Sequence, residues 1–557
     1  MESNNLNIRT IIYSMPIYRL FYMSICVIMI IIATVGLIVV FTNKYTTLIP
    51  ASGGIYKVAS INNIRYIDPI FANNNTEISI SKLVYSGLLK KKGNEYVFDI
   101  AESLNKSADG LNLTIKLKKA KFSDGSDLTS SDVAYTIELI QDSLINSPHH
   151  KDWKNIEVSI IDKENISLQL KASINNIEEA LTQGIIKKSE WVTLPKGSLS
   201  LSNLNINAIG SGPYKLSNTV EQNKILNEVD LEINNNYKII NALPYIKSIV
   251  FKVFSDKSNI YSEIRKGENY TTLGVDPSEL APILKDNGNI KIISAKMYRS
   301  FGLFFNPNND KNLADISYRS DLRNSINIDK IISTVLGNYA NKASYIYNKN
   351  YDNPISNSYI INKNNYENRN INIYTVNNPD LIKVANLIKD DWSKIGIVAQ
   401  IKTSEIGEFH QDIVKNRNFS VLLFAVDTYN DNDIYNLWHS SGRVYPGSNI
   451  TNYYSLTLDN NLEGLILLSN NNADKQAVTT LYNNINDELY KNVAWVPLYN
   501  PYMIFTSDKD LKINSITHIY NTYEFLEGLD AAYINTEKVY SIFSIDKIYK
   551  KISDFVH

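Results

Sequence analysis

Between Leu20 and Val40 the sequence LFYMSICVIMIIIATVGLIVV carries no charge. As a helix rising about 1.5 Å per residue it matches a hydrocarbon core of roughly 30 Å, so it reads as a transmembrane span. Arg9 and Arg19 precede the run and only Lys44 closely follows it, a bias that keeps the N-terminus cytoplasmic and puts everything after Phe41 outside. A cleaved signal peptide would have a shorter apolar stretch and small residues before the cut. Here Ile49 and Pro50 precede Ala51, so an uncleaved anchor is expected. Cys26 lies within the run with a long apolar stretch after it, the wrong place for a lipidated first residue.

The remainder is too long for one core. A single hydrophobic core stops growing at roughly 250–300 residues, and the chain has 557, so two or three lobes are expected. Cys26 is the only cysteine, which leaves the lobes without a disulfide, a thiolate nucleophile or a Cys-ligated metal. Lys plus Arg (56) balances Asp plus Glu (57), so no basic field gathers phosphates and nucleic acid is not an expected partner. The 37 tyrosines supply amphipathic contact area for a cleft.

Along the chain, Thr46–Gly53 reads as a linker and Gly54–Ile61 (GIYKVASI) alternates like an opening strand. Thr129 is placed to cap a helix whose Val133, Ile137, Ile140 and Leu144 share a face, with Asp132 near its positive end. From Asp380 to Ile395 the residues Leu381, Val384, Ile388, Trp392 and Ile395 form an apolar stripe, and Gly396 supplies the stop. Strand patterns alternate with these helices at Leu111–Leu117, Ile246–Phe254, Ile397–Ile401 and Phe419–Val426. Asn-rich patches at 73–75, 234–236, 362–370 and 470–472 read as loops. The class is mixed α/β.

Enzyme chemistry finds no footing. Gly210-Ser211-Gly212 lacks the Lys of a phosphate loop, and Pro213 removes a backbone N–H, so a structural corner is expected. His149, His150 and Asp152 read as a solvated loop, and His410 and His439 stand alone. No nucleophile elbow, His-Glu-x-x-His or Cys-x-x-Cys occurs. Neither cofactor nor metal is expected.

Several segments, in order, resemble the extracytoplasmic solute-binding family that contains the oligopeptide, dipeptide and nickel binders of ABC importers (bacterial family 5). Ile67-Asp68-Pro69 is similar to its Leu-Asp-Pro, and LVYSGLL at Leu83–Leu89 to its helix ending Tyr-Glu-Gly-Leu. The stretch Ile100–Glu138 carries the Ala-Glu-Ser, Asp-Gly, Phe-x-Asp-Gly and Leu-Thr-x-x-Asp-Val succession. GSGPYKL at Gly210–Leu216, LPYIKSIVFKVFSD at Leu243–Asp256, SDLRNSINIDKIISTVLG at Ser320–Gly337, WSKIGIVAQI at Trp392–Ile401 and VPLYNPY at Val496–Tyr502 complete the series. Each is weak alone; their shared order from about Gly54 to Lys512 is specific. Ser86, Leu104 and Ser325 depart from the family's Glu, Trp and Ala.

The resemblance implies a two-lobed periplasmic-binding-protein-like fold (type II, cluster C-like) with an extra inserted subdomain, here behind a transmembrane helix. The expected boundaries are 1–19 cytoplasmic, 20–41 anchor, 42–53 linker, 54–86 and 192–257 lobe I, 87–191 inserted subdomain, 258–489 lobe III, and 490–557 a return to lobe I with a tail. The last forty or so residues have no assigned role. The implied function is capture of a peptide or similar small solute outside the membrane for the permease and ATPase subunits of an ABC importer. A surface receptor or assembly protein on the same fold is the alternative.

Phe419–Val426 is apolar enough for a buried strand and runs directly into Asp427, with Tyr429 and Asp431 behind it. Read alone, this is a turn with solvated acids or the end of a strand at a cleft. In the family's peptide binders an aromatic and, three residues later, an Asp occupy this place, the Asp meeting the peptide's ammonium; Phe424 and Asp427 keep that spacing, with Phe for the usual Trp. Asp427, Phe424 and Tyr429 are therefore candidate ligand contacts, joined by Asn74, Tyr298 and Phe301.

Overall fold

The computed structural model describes residues 16–540, apart from 94, 172–176, 223–224, 238–242, 276, 349–350, 354–358, 361–365, 367–368, 429–435, 444–446, 451–474, 494 and 514–515. The apolar N-terminal run is helical, α1 (Ile17–Tyr45). Among the described residues no helix is long and apolar enough to cross a membrane; the side chains of Ile17, Leu20 and residues 38–47 stand outside the description. The backbone helix nevertheless runs unbroken for 29 residues.

The expected linker is ordered instead. α1 passes directly into β1 (Thr46–Ala51), which needs a partner for its backbone groups and finds it in the far C-terminal strand, Asn535–Tyr540. A turn through Gly54, whose φ of +82° favours glycine, leads into β2 (Ile55–Ser60). Next come α2 (Asn75–Val84) and α3 (Ser130–Gln141). Thr129 and Asp132 form the reciprocal cap that their spacing suggests. Val133, Ile137 and Ile140 are buried, but Leu144 is 78% exposed because the helix ends at Gln141 and Leu144 falls in the turn beyond.

Among the described residues the largest sheet has 13 strands and runs through the whole molecule. Its first half contains β2, the parallel strands β3 (Ser248–Val253) and β4 (Tyr270–Leu273) on either side of it, and β5 (Ile290–Met297). Its second half contains β6 (Arg299–Phe305), β7 (Arg369–Val376), then helix α4 (Pro379–Ser393), β8 (Ile397–Ser404) and β9 (Val421–Asp427). The long strand β10 (Trp495–Asp508) belongs to both halves. Its residues 502–508 pair with β5, and 495–499 pair with β6. β11 (Asn535–Tyr540) closes the chain against β1.

Two antiparallel connections therefore pass between the halves, one at Tyr298 between β5 and β6 and one at Asn500–Pro501 within β10. Asn500 Nδ2 ties them together, donating to the Arg299 carbonyl (2.9 Å) and Ser300 Oγ (2.7 Å). This pairing puts the passage between bodies at Tyr298 rather than at residue 258, since β4 and β5 still pair with β2 and the 502–508 part of β10. A separate four-stranded sheet, spanning Ala101–Lys106, Asn112–Leu117, Asn165–Leu170 and Ile156–Ile160, packs under α3 and shares one continuous core with the first body.

The first body's core joins Val58, Ile249, Phe251 and Phe505 to the C-terminal residues Leu511, Phe525, Leu526 and Leu529, which gives much of the unassigned C-terminal stretch a structural place. The second body buries both faces of its sheet. Leu303, Ile373 and Leu423 pack on Ile388 and Trp392 of α4, while Phe304, Leu422 and Trp495 pack on the other side against Trp438 and Ile485. Apolar side chains on both faces explain why Val421–Val426 reads as a continuous apolar run.

Candidate ligand-binding site

β9 is inserted between β6 and β7, and its register puts Asp427 opposite Arg299, the first residue of β6. Arg299 Nε donates to Asp427 Oδ1 (2.6 Å) and its terminal nitrogen to Oδ2 (2.9 Å), a two-pronged ion pair on a partly exposed rim. The hydrogen bond to Asp427 holds the Arg299 guanidinium above its ordinary pKa against the opposing effect of burial, and Tyr520 adds a smaller contribution. Asp427 is thus at a strand's end beside a cleft, but its charge already has a partner. Each carboxylate oxygen keeps a further lone pair for a ligand donor.

Phe424, half-buried, packs on Phe409 (ring centroids 5.4 Å apart) and meets the His410 ring edge-on (5.6 Å). With Asp427, His410, Lys415 and Arg417 it lines a cavity of about 370 Å³. Arg417 holds a left-handed φ of +55° and gives its terminal nitrogens to backbone carbonyls, those of Val414 and, at 2.7 Å, Gly447. Burial lowers its pKa from the ordinary value.

The first body presents a larger cavity, about 600 Å³, within the range of small-solute sites. Of the sequence motifs, Ile67-Asp68-Pro69 reaches its wall, through Pro69. Asp68 is fully buried and its Oδ1 accepts the backbone N–H of Ile70 (2.9 Å) and Phe71 (3.0 Å), pinning the turn that sets Pro69 in the wall. Gly210 and Gly212 run so close to the backbone of Leu83 and Val84 that neither position has room for a Cβ. The Gly-Ser-Gly-Pro-Tyr segment is a packing corner, finished by Tyr214 donating to the Ile246 carbonyl (3.0 Å).

On this wall Lys91 pairs with Glu524 (3.1 Å), which also accepts the Tyr520 backbone N–H (3.1 Å), and Lys82 of α2 pairs behind it with Glu527 (3.0 Å). Burial would lower the Lys82 pKa, but Glu527, Tyr523 and Glu179 outweigh it and the net shift is upward. His149 lines the same cavity, so it is not in a solvated loop; burial lowers its pKa, partly offset by Asp152. Tyr520 belongs to this cavity, and its segment runs beside the crossing, where the Tyr298 N–H donates to the Ile519 carbonyl (3.2 Å). His518 stacks on Tyr298 there, with ring centroids 5.5 Å apart.

The sequence candidates therefore divide. Asp427 and Phe424 share the second-body cavity. Tyr298 is buried at the crossing, its carbonyl accepting the Thr428 N–H (3.1 Å), and Phe301 stacks on Tyr499 (5.0 Å). Asn74 caps α2, accepting from the N–H groups of Thr76 and Glu77, so its side chain is engaged in the helix end. Tyr429 lies outside the described residues, as does Asp431. Sequence reasoning missed Lys82, Lys91, Tyr520 and Tyr523 and read His149 as solvated; these come from distant segments and acquire a shared cavity only through folding.

The chain belongs to the bacterial extracellular solute-binding proteins, family 5, whose Middle-region profile matches residues 95–445, more than half of it. It is 26% identical over 301 residues to the oligopeptide-binding protein AppA of Bacillus subtilis, covering 52% of each chain. The match thus spans about half the length of that curated relative. Among solved structures, the ABC transporter substrate-binding protein CtaP of Listeria monocytogenes has a TM-score of 0.71 at 21% identity, covering 87% of this chain and 99% of that one. AppA of B. subtilis in complex with a nonapeptide has a TM-score of 0.61 at 20% identity, covering 87% and 100%. The mixed α/β fold matches these binding-protein structures.

Proposed function

We propose that the chain is a membrane-anchored, extracytoplasmic receptor that captures peptides for the permease and ATPase subunits of an ABC importer. Family membership supports the solute-binding role, and the relative named for oligopeptide binding supports the peptide class. The observation that carries the reading is the pair of cavities, one on each body, whose residues Tyr520 and Asp427 stand next to the Ile519 and Thr428 backbone groups that bond Tyr298 at the crossing. Two crossing strands form a hinge, and a ligand touching both walls favours the closed state by its differential affinity. α1 is the anchor in this reading, holding both bodies outside the membrane.

In the closed form Asp427 receives the peptide's α-ammonium as a third member of its pair with Arg299, and Phe424 walls the position. Phe301 and Tyr298 shape the crossing behind it. Removing one partner of a desolvated charge pair costs about 2–5 kcal/mol, so Asp427→Ala lowers peptide affinity by roughly thirtyfold or more. Calorimetric titration of the purified chain with a peptide identified by mass spectrometry of co-purifying material, free and N-acetylated, tests this. Acetylation and Asp427→Ala should each weaken binding, and the two losses should not add. Equal affinities for all four combinations would make Asp427 a rim residue held by Arg299 alone.

A further inference from the structure

The second-body cavity beside Asp427 carries positive charge that the capture of an ammonium does not use. Among the described residues that line it, Asp427 is the one carboxylate, and Lys415 and Arg417 are the cations. Asp427 is already paired with Arg299, which leaves both cations uncompensated within that lining. Glu408 and Asp412 stand on the same stretch of chain, but both are exposed and neither lines the cavity.

The chain around Arg417 is built to hold it there. Phe409–Val414 is a short π-helix, a rare geometry that recurs at functional sites. It closes with the Lys415 N–H on the His410 carbonyl (2.9 Å) and the Asn418 N–H on that of Ile413 (3.0 Å). Arg417 then takes its left-handed φ of +55°, a conformation that few non-glycine residues adopt. The buried Asn306 pins it, Nδ2 donating to the Arg417 carbonyl (2.8 Å).

The guanidinium has capacity to spare. Its terminal nitrogens cap the Val414 and Gly447 carbonyls, while its Nε is buried with no hydrogen-bond partner among the described residues. A neutral donor would cap two carbonyls at less cost; a half-buried guanidinium without a counter-ion gains from receiving one. Phe424, with the His410 ring edge-on to it, adds an apolar surface to the same cavity. A fitting ligand has an ammonium for Asp427, a short methylene stem for Phe424 and an anion for Arg417 and Lys415.

We propose that this cavity is the pocket for an acidic side chain on the first or second residue of the bound peptide. Arg417 receives the carboxylate through its remaining N–H donors, and the exposed Lys415 adds to the positive field. The assignment names the substrate class of the peptide receptor and rests on the reading of Asp427 as the seat of the α-ammonium.

Calorimetric titration of the purified chain with the tetrapeptides Glu-Ala-Ala-Ala and Ala-Glu-Ala-Ala, and with Gln or Lys in place of Glu, tests this. At one of the two positions Glu should bind roughly tenfold more tightly than Gln, the effect of one charge-assisted hydrogen bond in a partly buried site. Lys there should bind more weakly than either. Arg417→Gln should remove most of the Glu preference, and Lys415→Gln should reduce it several-fold while leaving the affinity for the Gln peptide little changed. Because Arg417 also holds two backbone carbonyls, the melting temperature of its variant is measured alongside. Glu and Gln peptides bound equally at both positions overturn the acidic pocket and leave peptide capture standing. A Glu preference undiminished in Arg417→Gln, or in Lys415→Gln where only that variant folds, places the carboxylate elsewhere and overturns the assignment as well. If none of these peptides binds, the receptor reading fails together with the pocket.

Discussion

The two bodies hold themselves together differently. Much of the second body comes from neighbours along the chain: β7, α4 and β8 follow one another and α4 packs back on the two strands it connects, while β10 adds residues 495–499 beside β6. The first body is closed by its own C-terminus. Residues 511–532 complete its core, and three partly buried ion pairs, Lys82–Glu527, Lys90–Asp530 and Lys91–Glu524, join segments more than four hundred residues apart. Local pairing favours early formation, whereas the first body's core waits for residues 511–532 to be made.

The sharpest break of this contrast is Trp392→Ala. Trp392 is fully buried on α4 and its indole N–H donates to the Leu322 carbonyl (3.0 Å). Losing it leaves a large cavity, while Ser325 Oγ still donates to the Leu322 carbonyl (3.0 Å), at a cost of about 3–5 kcal/mol. Scanning calorimetry of the purified chain should show a second-body transition that falls while the first-body transition stays in place. A single transition that shifts as a whole would mean that the crossing strands make the two bodies one cooperative unit.

The second test addresses the ion-pair closure. Lys91 and Glu524 are 6% and 10% exposed, and Glu524 also fixes the Tyr520 N–H. Lys91→Ala strands a buried carboxylate and should cost about 3 kcal/mol, whereas Lys91→Met with Glu524→Met should recover most of it. Urea unfolding of the three variants checks the order. A double variant as unstable as the single would show that the pair itself, rather than the orphaned charge, holds the C-terminal segment.

This contrast also decides what was legible in the sequence. In the second body, periodicity over a local unit was enough. The helix expected at Asp380–Ile395 appears as Pro379–Ser393 with Gly396 at φ +84°, and the strand expected at Phe419–Val426 appears as Val421–Asp427. The first body's walls were hidden because no pattern within 520–527 announces that it will meet Lys82 and Lys91. The expected linker hid a strand for the same reason, its partner lying at 535–540. Asp427 was visible through its place at a strand's end and the family resemblance, but Arg299, its partner across the sheet, depends on a register that the sequence does not display.

The last test separates two buried acids. Asp391, in the second body, has Lys394 at 2.6 Å and accepts the Asn327 N–H (2.9 Å). Asp68, in the first, has backbone N–H donors on Oδ1 and a buried Oδ2 with no hydrogen-bond partner among the described atoms. Burial pushes its pKa up to about 7, against the pull of the Phe71 and Ile70 N–H groups and with a further push from Glu77. The unfolded chain loses this proton near the ordinary value of about 4. Between about pH 4 and 7 the folded state thus holds a proton that the unfolded state has released, and the Asp68 contribution to stability declines as pH rises through that window. The slope is at most about 1.4 kcal/mol per pH unit. Asp68→Asn keeps the acceptor oxygen and removes the titration, so the stability difference between the natural chain and the variant should shrink from pH 4.5 to 7.5 in urea unfolding series. A difference that stays flat or grows with pH would mean that Asp68 is ionised in the folded protein, with water supplying the missing partner for Oδ2.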